Sequence, residues 1–88
     1  MKVEFRNSFL KDIAKIKDKV ELERIKLVIE NFEKIENLQE IAGLKKLRRG
    51  DHFYRIKVGE YRLGLSISEH LSIFIRCLHR KDIYRYFP

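Results

Sequence analysis

The chain lacks most of what marks a secreted, metal-stapled or membrane-spanning protein. Its single cysteine, Cys77, excludes an internal disulfide, and no CxxC or clustered Cys/His spacing offers a structural zinc site. The apolar neighbours of Cys77 predict a small buried hydrophobe and not a reactive thiol. The only proline is Pro88, and no Pro- or Ser-rich linker, repeat or low-complexity stretch divides the sequence. No apolar run approaches the roughly 20 residues that a membrane helix needs. Met1 to Phe9 alternates apolar and polar residues, unlike a signal peptide. These absences predict a reduced, cytoplasmic, soluble protein without a membrane partner. Acidic charge is scarcest in the second half. After Ala42 there are four acids (Asp51, Glu60, Glu69 and Asp82) against eleven Lys/Arg, whereas before it nine acids balance nine bases. The entire net charge of +7 therefore lies beyond Ala42. A basic half joined to a neutral half points to a polyanionic partner, although basic side chains also serve solubility.

At 88 residues, 44% of them hydrophobic, the chain holds one modest core and one domain, residues 1–88. Val3 and Phe5 alternate with Lys2, Glu4 and Arg6 as a short strand. Asn7 or Ser8 is placed to cap a helix carrying Phe9, Ile13 and Ile16. Lys17-Asp18-Lys19 is a polar break. Leu22, Ile25, Ile29, Phe32 and Ile35 then repeat at steps of three and four, a second helix. After Gly43 the period changes to two, and three segments (Phe53–Val58, Tyr61–Ile67, Leu71–Cys77) read as an antiparallel meander followed by a short tail. The expected fold is α+β: an N-terminal strand, two helices on one face of a small antiparallel sheet, and a C-terminal three-strand meander.

The turn chemistry sets a register. Gly59-Glu60 fits a two-residue type II′ hairpin with glycine first. Lys57 then faces Arg62, Arg55 faces Gly64, and the face away from the helices carries Arg55, Lys57, Arg62, Gly64 and Ser66. A three-residue loop at Ser68-Glu69-His70 would bring Arg76 opposite Arg62, giving a cation row of Lys57, Arg62 and Arg76. Like charges directly opposed in a sheet are destabilising. Such a row therefore suits a phosphate, with Gly64 leaving room above the sheet. The plainer reading is an edge whose long basic side chains reach solvent and discourage sheet-to-sheet pairing. The connector adds Lys45, Lys46, Arg48 and Arg49, which we assign with Arg55 and Arg76 to RNA binding. In the tail, His79-Arg80-Lys81-Asp82-Ile83-Tyr84 mixes basic and aromatic residues as nucleic-acid surfaces do, while Ile83 and Phe87 are spaced to pack down as a helical turn.

The segments Tyr54-Arg55-Ile56-Lys57-Val58-Gly59-Glu60-Tyr61-Arg62 and His79-Arg80-Lys81-Asp82-Ile83-Tyr84 together resemble the RelE/ParE superfamily of toxins, and its RelE branch most closely. The resemblance covers essentially the whole chain. It implies a type II toxin that enters the ribosomal A site and cuts mRNA without metal or cofactor, using the ribose 2′-hydroxyl as nucleophile. It also implies a cognate antitoxin protein that forms a hetero-oligomer with the toxin and blocks the basic face. Carried over by position, Arg62 stabilises charge on the scissile phosphate, Arg55 and Lys57 flank the substrate, Arg80 serves the leaving oxygen, and Tyr84 stacks on or orients a nucleotide. Metal-free phosphoryl transfer needs such preplaced cations. Arg55 stands where the family has lysine, and a guanidinium does not act as a base. Lys57 and His79 are the two candidates for proton transfer. A ParE-like inhibitor of DNA gyrase and a non-catalytic RNA-binding module are the competing functions.

Overall fold

A computed structural model describes residues 1–88, and its elements follow from the patterning. Strand β1 (Lys2–Phe5) leads into α1 (Asn7–Ala14) and α2 (Lys19–Lys34). A 3₁₀ turn at Leu38–Glu40 precedes β2 (Leu44–Lys46), β3 (Phe53–Val58), β4 (Tyr61–Ile67), β5 (Leu71–His79) and a one-turn α3 (Ile83–Tyr86). The strands form one sheet in the order β1-β5-β4-β3-β2. β1 runs parallel to β5 and the other pairs are antiparallel, so the sheet is mixed. The α+β architecture is as expected. β2 is an added edge strand within the basic connector.

The polar break is a functional cap. Asp18 Oδ1 accepts from the backbone N–H of Val20 and Glu21, satisfying two donors that a helix start leaves free. Asn7 and Ser8 do not cap α1. Its N-cap is Arg6, without a side-chain bond, and Ser8 Oγ instead donates to the Ile75 carbonyl at 2.6 Å. Ser8 thereby fastens α1 to β5.

Both long helices cover one face of the sheet. Phe9, Ile25, Phe32, Ile56, Leu63, Leu65, Phe74 and Cys77 form the heart of the core there. The Phe32 ring meets Phe74 edge-on at 5.6 Å. On the other face a small cluster of Leu47, Ile83 and Phe87 fastens α3.

The strand pairing corrects one expectation. The β3–β4 register is as the glycine turn dictates, with Lys57 opposite Arg62 and Arg55 opposite Gly64. Gly59 has φ 57° and no non-glycine residue has positive φ, as the type II′ turn demands. The β4–β5 register differs. Ser68 N–H bonds the Leu71 carbonyl, so Ile67 pairs with Ser72, and an irregularity at Gly64/Leu65 shifts the ladder once more. Arg62 therefore stands opposite Leu78, and Arg76 opposite Gly64. The shifts also make Phe74 a core residue and let Phe74 and Cys77, three apart, share one core.

Candidate catalytic and RNA-binding face

Arg76, carried out of the cation row by the register, has a partner of its own. Asp12, buried on α1 at 7% exposure, takes Arg76 Nε at 2.7 Å and Nη2 at 3.2 Å. The same carboxylate accepts the Cys77 backbone N–H at 3.0 Å. The hydrogen bond that it donates to Asp12 holds the Arg76 guanidinium above its ordinary pKa, against the opposing effect of burial. Arg76 thus forms a structural ion pair that pins α1 to the bulged stretch of β5 and stands outside the expected cation row. Asp12 was legible as an acid inside the apolar stripe of α1, between Phe9 and Ile13, yet only the bulge brings it a partner.

Gly64 also differs from expectation. A Cβ there would lie 2.6 Å from Phe87 Cδ2, so the space above the glycine holds the Phe87 ring and not a ligand. Glycine is needed for α3 to settle on the sheet. Half of the sheet's second face is closed in this way. The open half lies toward the β3–β4 hairpin.

Four of the sequence-derived residues lie at the hairpin end of the sheet, Lys57 and Arg62 on its open face and His79 with Tyr61 on the helix-covered face. Arg62 Nη1 donates to the carbonyls of Gly59 at 2.9 Å and Tyr61 at 3.0 Å, which aims the guanidinium along the turn. Lys57, its cross-strand neighbour, is exposed. From the β5 side, the Arg80 backbone N–H bonds the Glu60 carbonyl at 2.8 Å, and Arg80 Nε meets Glu60 Oε2 at 2.9 Å. His79 Nε2 lies 3.8 Å from the same carboxylate oxygen, with Tyr61 edge-on to the imidazole. His79 Nδ1 accepts the Lys81 backbone N–H at 3.2 Å. Glu60 is the second residue of the turn. The register shifts in β5 decide that His79 and Arg80 end beside it.

Tyr84 and Arg55 form a second group. Arg55 Nε donates to the Tyr84 hydroxyl at 3.0 Å and Nη1 to the Gly43 carbonyl at 2.7 Å. Arg55 thereby positions Tyr84, which is 59% exposed. From Tyr84 a groove of about 460 Å³ continues between the connector and α3, lined by Lys45, Lys46, Arg48, Arg49, Tyr84 and Arg85 over Leu47 and Phe87. No acidic side chain lines it, and Pro88 completes the wall. The structure gathers all four connector cations and adds Arg85, one residue beyond the His79–Tyr84 segment. The arrangement offers fixed guanidinium donors at one end and a cation-lined channel leading away, suited to a chain of phosphates.

Residues 3–84 match the family model described as the ParE toxin of the type II toxin–antitoxin system parDE. Toxin RelE3 of Methanocaldococcus jannaschii is 40% identical over 89 residues, spanning 100% of both chains. The chain belongs to the RelE/ParE superfamily of type II toxins. Its fold superimposes on the RelB–RelE antitoxin–toxin complex of Methanococcus jannaschii with a TM-score of 0.81 and 38% identity, covering 97% of this chain and 99% of the other. The archaeal RelE–RelB complex of Pyrococcus horikoshii OT3 shares the fold at a TM-score of 0.74 and 17% identity, covering 93% and 97%. The protein is accordingly a RelE-like toxin. None of its helices is long and apolar enough to cross a membrane.

Proposed function

We propose that this RelE-like toxin is a ribosome-dependent mRNA endonuclease that cuts in the A site by attack of a ribose 2′-hydroxyl on the adjacent phosphate. The reading rests chiefly on Lys57 and Arg62 paired side by side on the open face, with Arg80 held to the same β3–β4 turn. Arg62 and Arg80 hold the phosphate and the negative charge that grows on it, because both guanidinium groups are anchored on the same turn before substrate arrives. Lys57 and His79 supply proton-transfer capacity. Tyr84, steadied by Arg55, stacks on a nucleotide, and the basic groove carries the strand onward. The products are a 2′,3′-cyclic phosphate and a 5′-hydroxyl. The named partners of the structural relatives lead us to assign a cognate antitoxin that forms a hetero-oligomer and covers this face. The site of action is the cytoplasm, where mRNA meets the ribosome.

The decisive experiment is mRNA cleavage in a translating extract with wild type and Arg62→Ala. Wild type cuts A-site mRNA, and the variant is slower by about 10²–10³, the usual cost of one preorganised charge-stabilising donor. Absence of cleavage by wild type overturns the reading. The match to the ParE family model favours one alternative, inhibition of DNA gyrase. Loss of supercoiling with intact mRNA would establish it.

A further inference from the structure

Of all the buried side-chain nitrogen and oxygen atoms in the molecule, Glu21 Oε2 alone has no hydrogen-bond partner. We propose that Glu21 is a positioning residue for the phosphate site: it seats the β3–β4 turn and, through that turn, sets where Arg62 points. The inference rests on the endonuclease reading above and deepens it.

A buried polar atom without a partner costs stability, and in a folded chain such an exception has a reason. Here the reason lies in what the carboxylate touches. Glu21 stands in the first turn of α2, where its backbone N–H reaches the capping Asp18 at 3.3 Å. Its side chain is 13% accessible, and Oε1 accepts from Arg24 Nη1 at 3.3 Å. Backbone and head group are therefore both held. A Cβ built on Gly59 would lie 2.7 Å from Oε2, 3.0 Å from Oε1 and 3.2 Å from Arg24 Nη1. The carboxylate fork and its arginine thus form a seat under the turn, with no room for a side chain between them. Gly59 is required there twice, once for its φ of 57° and once for this approach.

The seat matters because of what hangs on the turn. Gly59 and Glu60 are both exposed, and an exposed loop tip is mobile unless something fixes it. Arg62 Nη1 takes both of its acceptors from this turn, the Gly59 carbonyl at 2.9 Å and the Tyr61 carbonyl at 3.0 Å. Glu21 lies on the helix-covered side and Arg62 on the open face, so the two side chains do not meet. The backbone at Gly59 carries the constraint from one to the other. A shift of that backbone moves the carbonyl, and with it the guanidinium donors left for a phosphate. Stabilisation of a developing charge depends on donors already in place, and misplacement by about 1 Å costs up to about 10²-fold in rate. Glu21 itself touches neither RNA nor the reacting atoms. Replacing the unpartnered oxygen by an apolar group therefore relieves the fold while loosening Arg62. Stability and rate then move in opposite directions, whereas for a purely structural residue they fall together.

The test compares wild type, Glu21→Gln, Glu21→Met, Arg62→Ala and the double variant Glu21→Met with Arg62→Ala. Each is followed by thermal unfolding and by single-turnover cleavage of A-site mRNA on programmed ribosomes. NMR relaxation at Arg62 Nε reports the order of the guanidinium. Glutamine keeps the planar fork, and methionine keeps the volume but not the fork. Glu21→Met melts at or above the wild-type temperature, lowers the Arg62 Nε order parameter and cuts about 10- to 10²-fold more slowly. Glu21→Gln restores most of the rate. In the Arg62→Ala background Glu21→Met changes the rate by less than about twofold, since the group it acts through is gone. A rate that falls in step with melting temperature, an equal fall without Arg62, or an unchanged Arg62 order parameter overturns the assignment while the endonuclease reading stands. Wild type that cuts nothing overturns that reading, and the relaxation measurement then decides the seating of Arg62 by itself.

Discussion

Replacing Asp12 tests whether one buried carboxylate holds α1 to β5. Asp12 accepts three hydrogen bonds, two from Arg76 and one from the Cys77 backbone N–H. Removing one member of a buried ion pair typically costs about 3–5 kcal/mol, because the survivor is left uncompensated. Here the Arg76 side chain is 29% exposed and water can solvate part of it, so that term falls below the range. The Cys77 N–H has no such relief and adds about 1–3 kcal/mol when left unpaired. For Asp12→Ala we therefore expect a loss of about 3 kcal/mol. For a domain of this size that is a drop in Tm of roughly 12–24 °C. Asp12→Asn keeps an acceptor for Cys77 and loses only the charge, so it should cost about half as much. Thermal unfolding by circular dichroism with urea titration measures both. An Asp12→Ala variant within about 0.5 kcal/mol of wild type, or one no worse than Asp12→Asn, would refute the argument.

Two further tests probe packing and titration. Gly64→Ala forces a Cβ against the Phe87 ring and should cost about 1–3 kcal/mol, less in a Phe87→Ala background, so that a double-mutant cycle shows coupling above about 0.5 kcal/mol. Additive effects would mean that the two residues do not touch. Cys77 is pushed up to about 12, first by burial and then by the charge of Asp12. Since the folded value is raised, its contribution to stability is full below the ordinary thiol value of 9.0 and is lost as pH rises toward about 12. Native protein at pH 8 should resist alkylation that urea-unfolded protein accepts, and Cys77→Ala should flatten the decline in urea midpoint over that window. Rapid labelling of the native thiol would contradict its burial.

Much of this molecule was legible in order. The 3.6-residue period gave α2, the change to period two after Gly43 gave the meander, and Gly59-Glu60 set the β3–β4 register with Lys57 opposite Arg62. Those signals are local: a turn type or a hydrophobic stripe depends on neighbours within a few residues. The family resemblance was equally readable, because its two motifs sit in those elements. What the sequence could not reveal began at β5. One residue's difference in the turn and one in the ladder moved Arg76 away from Arg62, and a side chain's partner in a sheet changes wholly with such a slip.

By itself, then, the chain's sequence determined an α+β fold, the superfamily, and a second half whose charge is mostly positive. Only the tertiary structure decided which cations are free. It gave Arg76 to Asp12, filled the space above Gly64 with Phe87, and placed Glu60 beside His79 and Arg80. The reason is physical: hydrophobic period and turn geometry act along the chain, whereas a charge's role depends on what the fold sets beside it across 60 or more residues, as with Asp12 and Arg76.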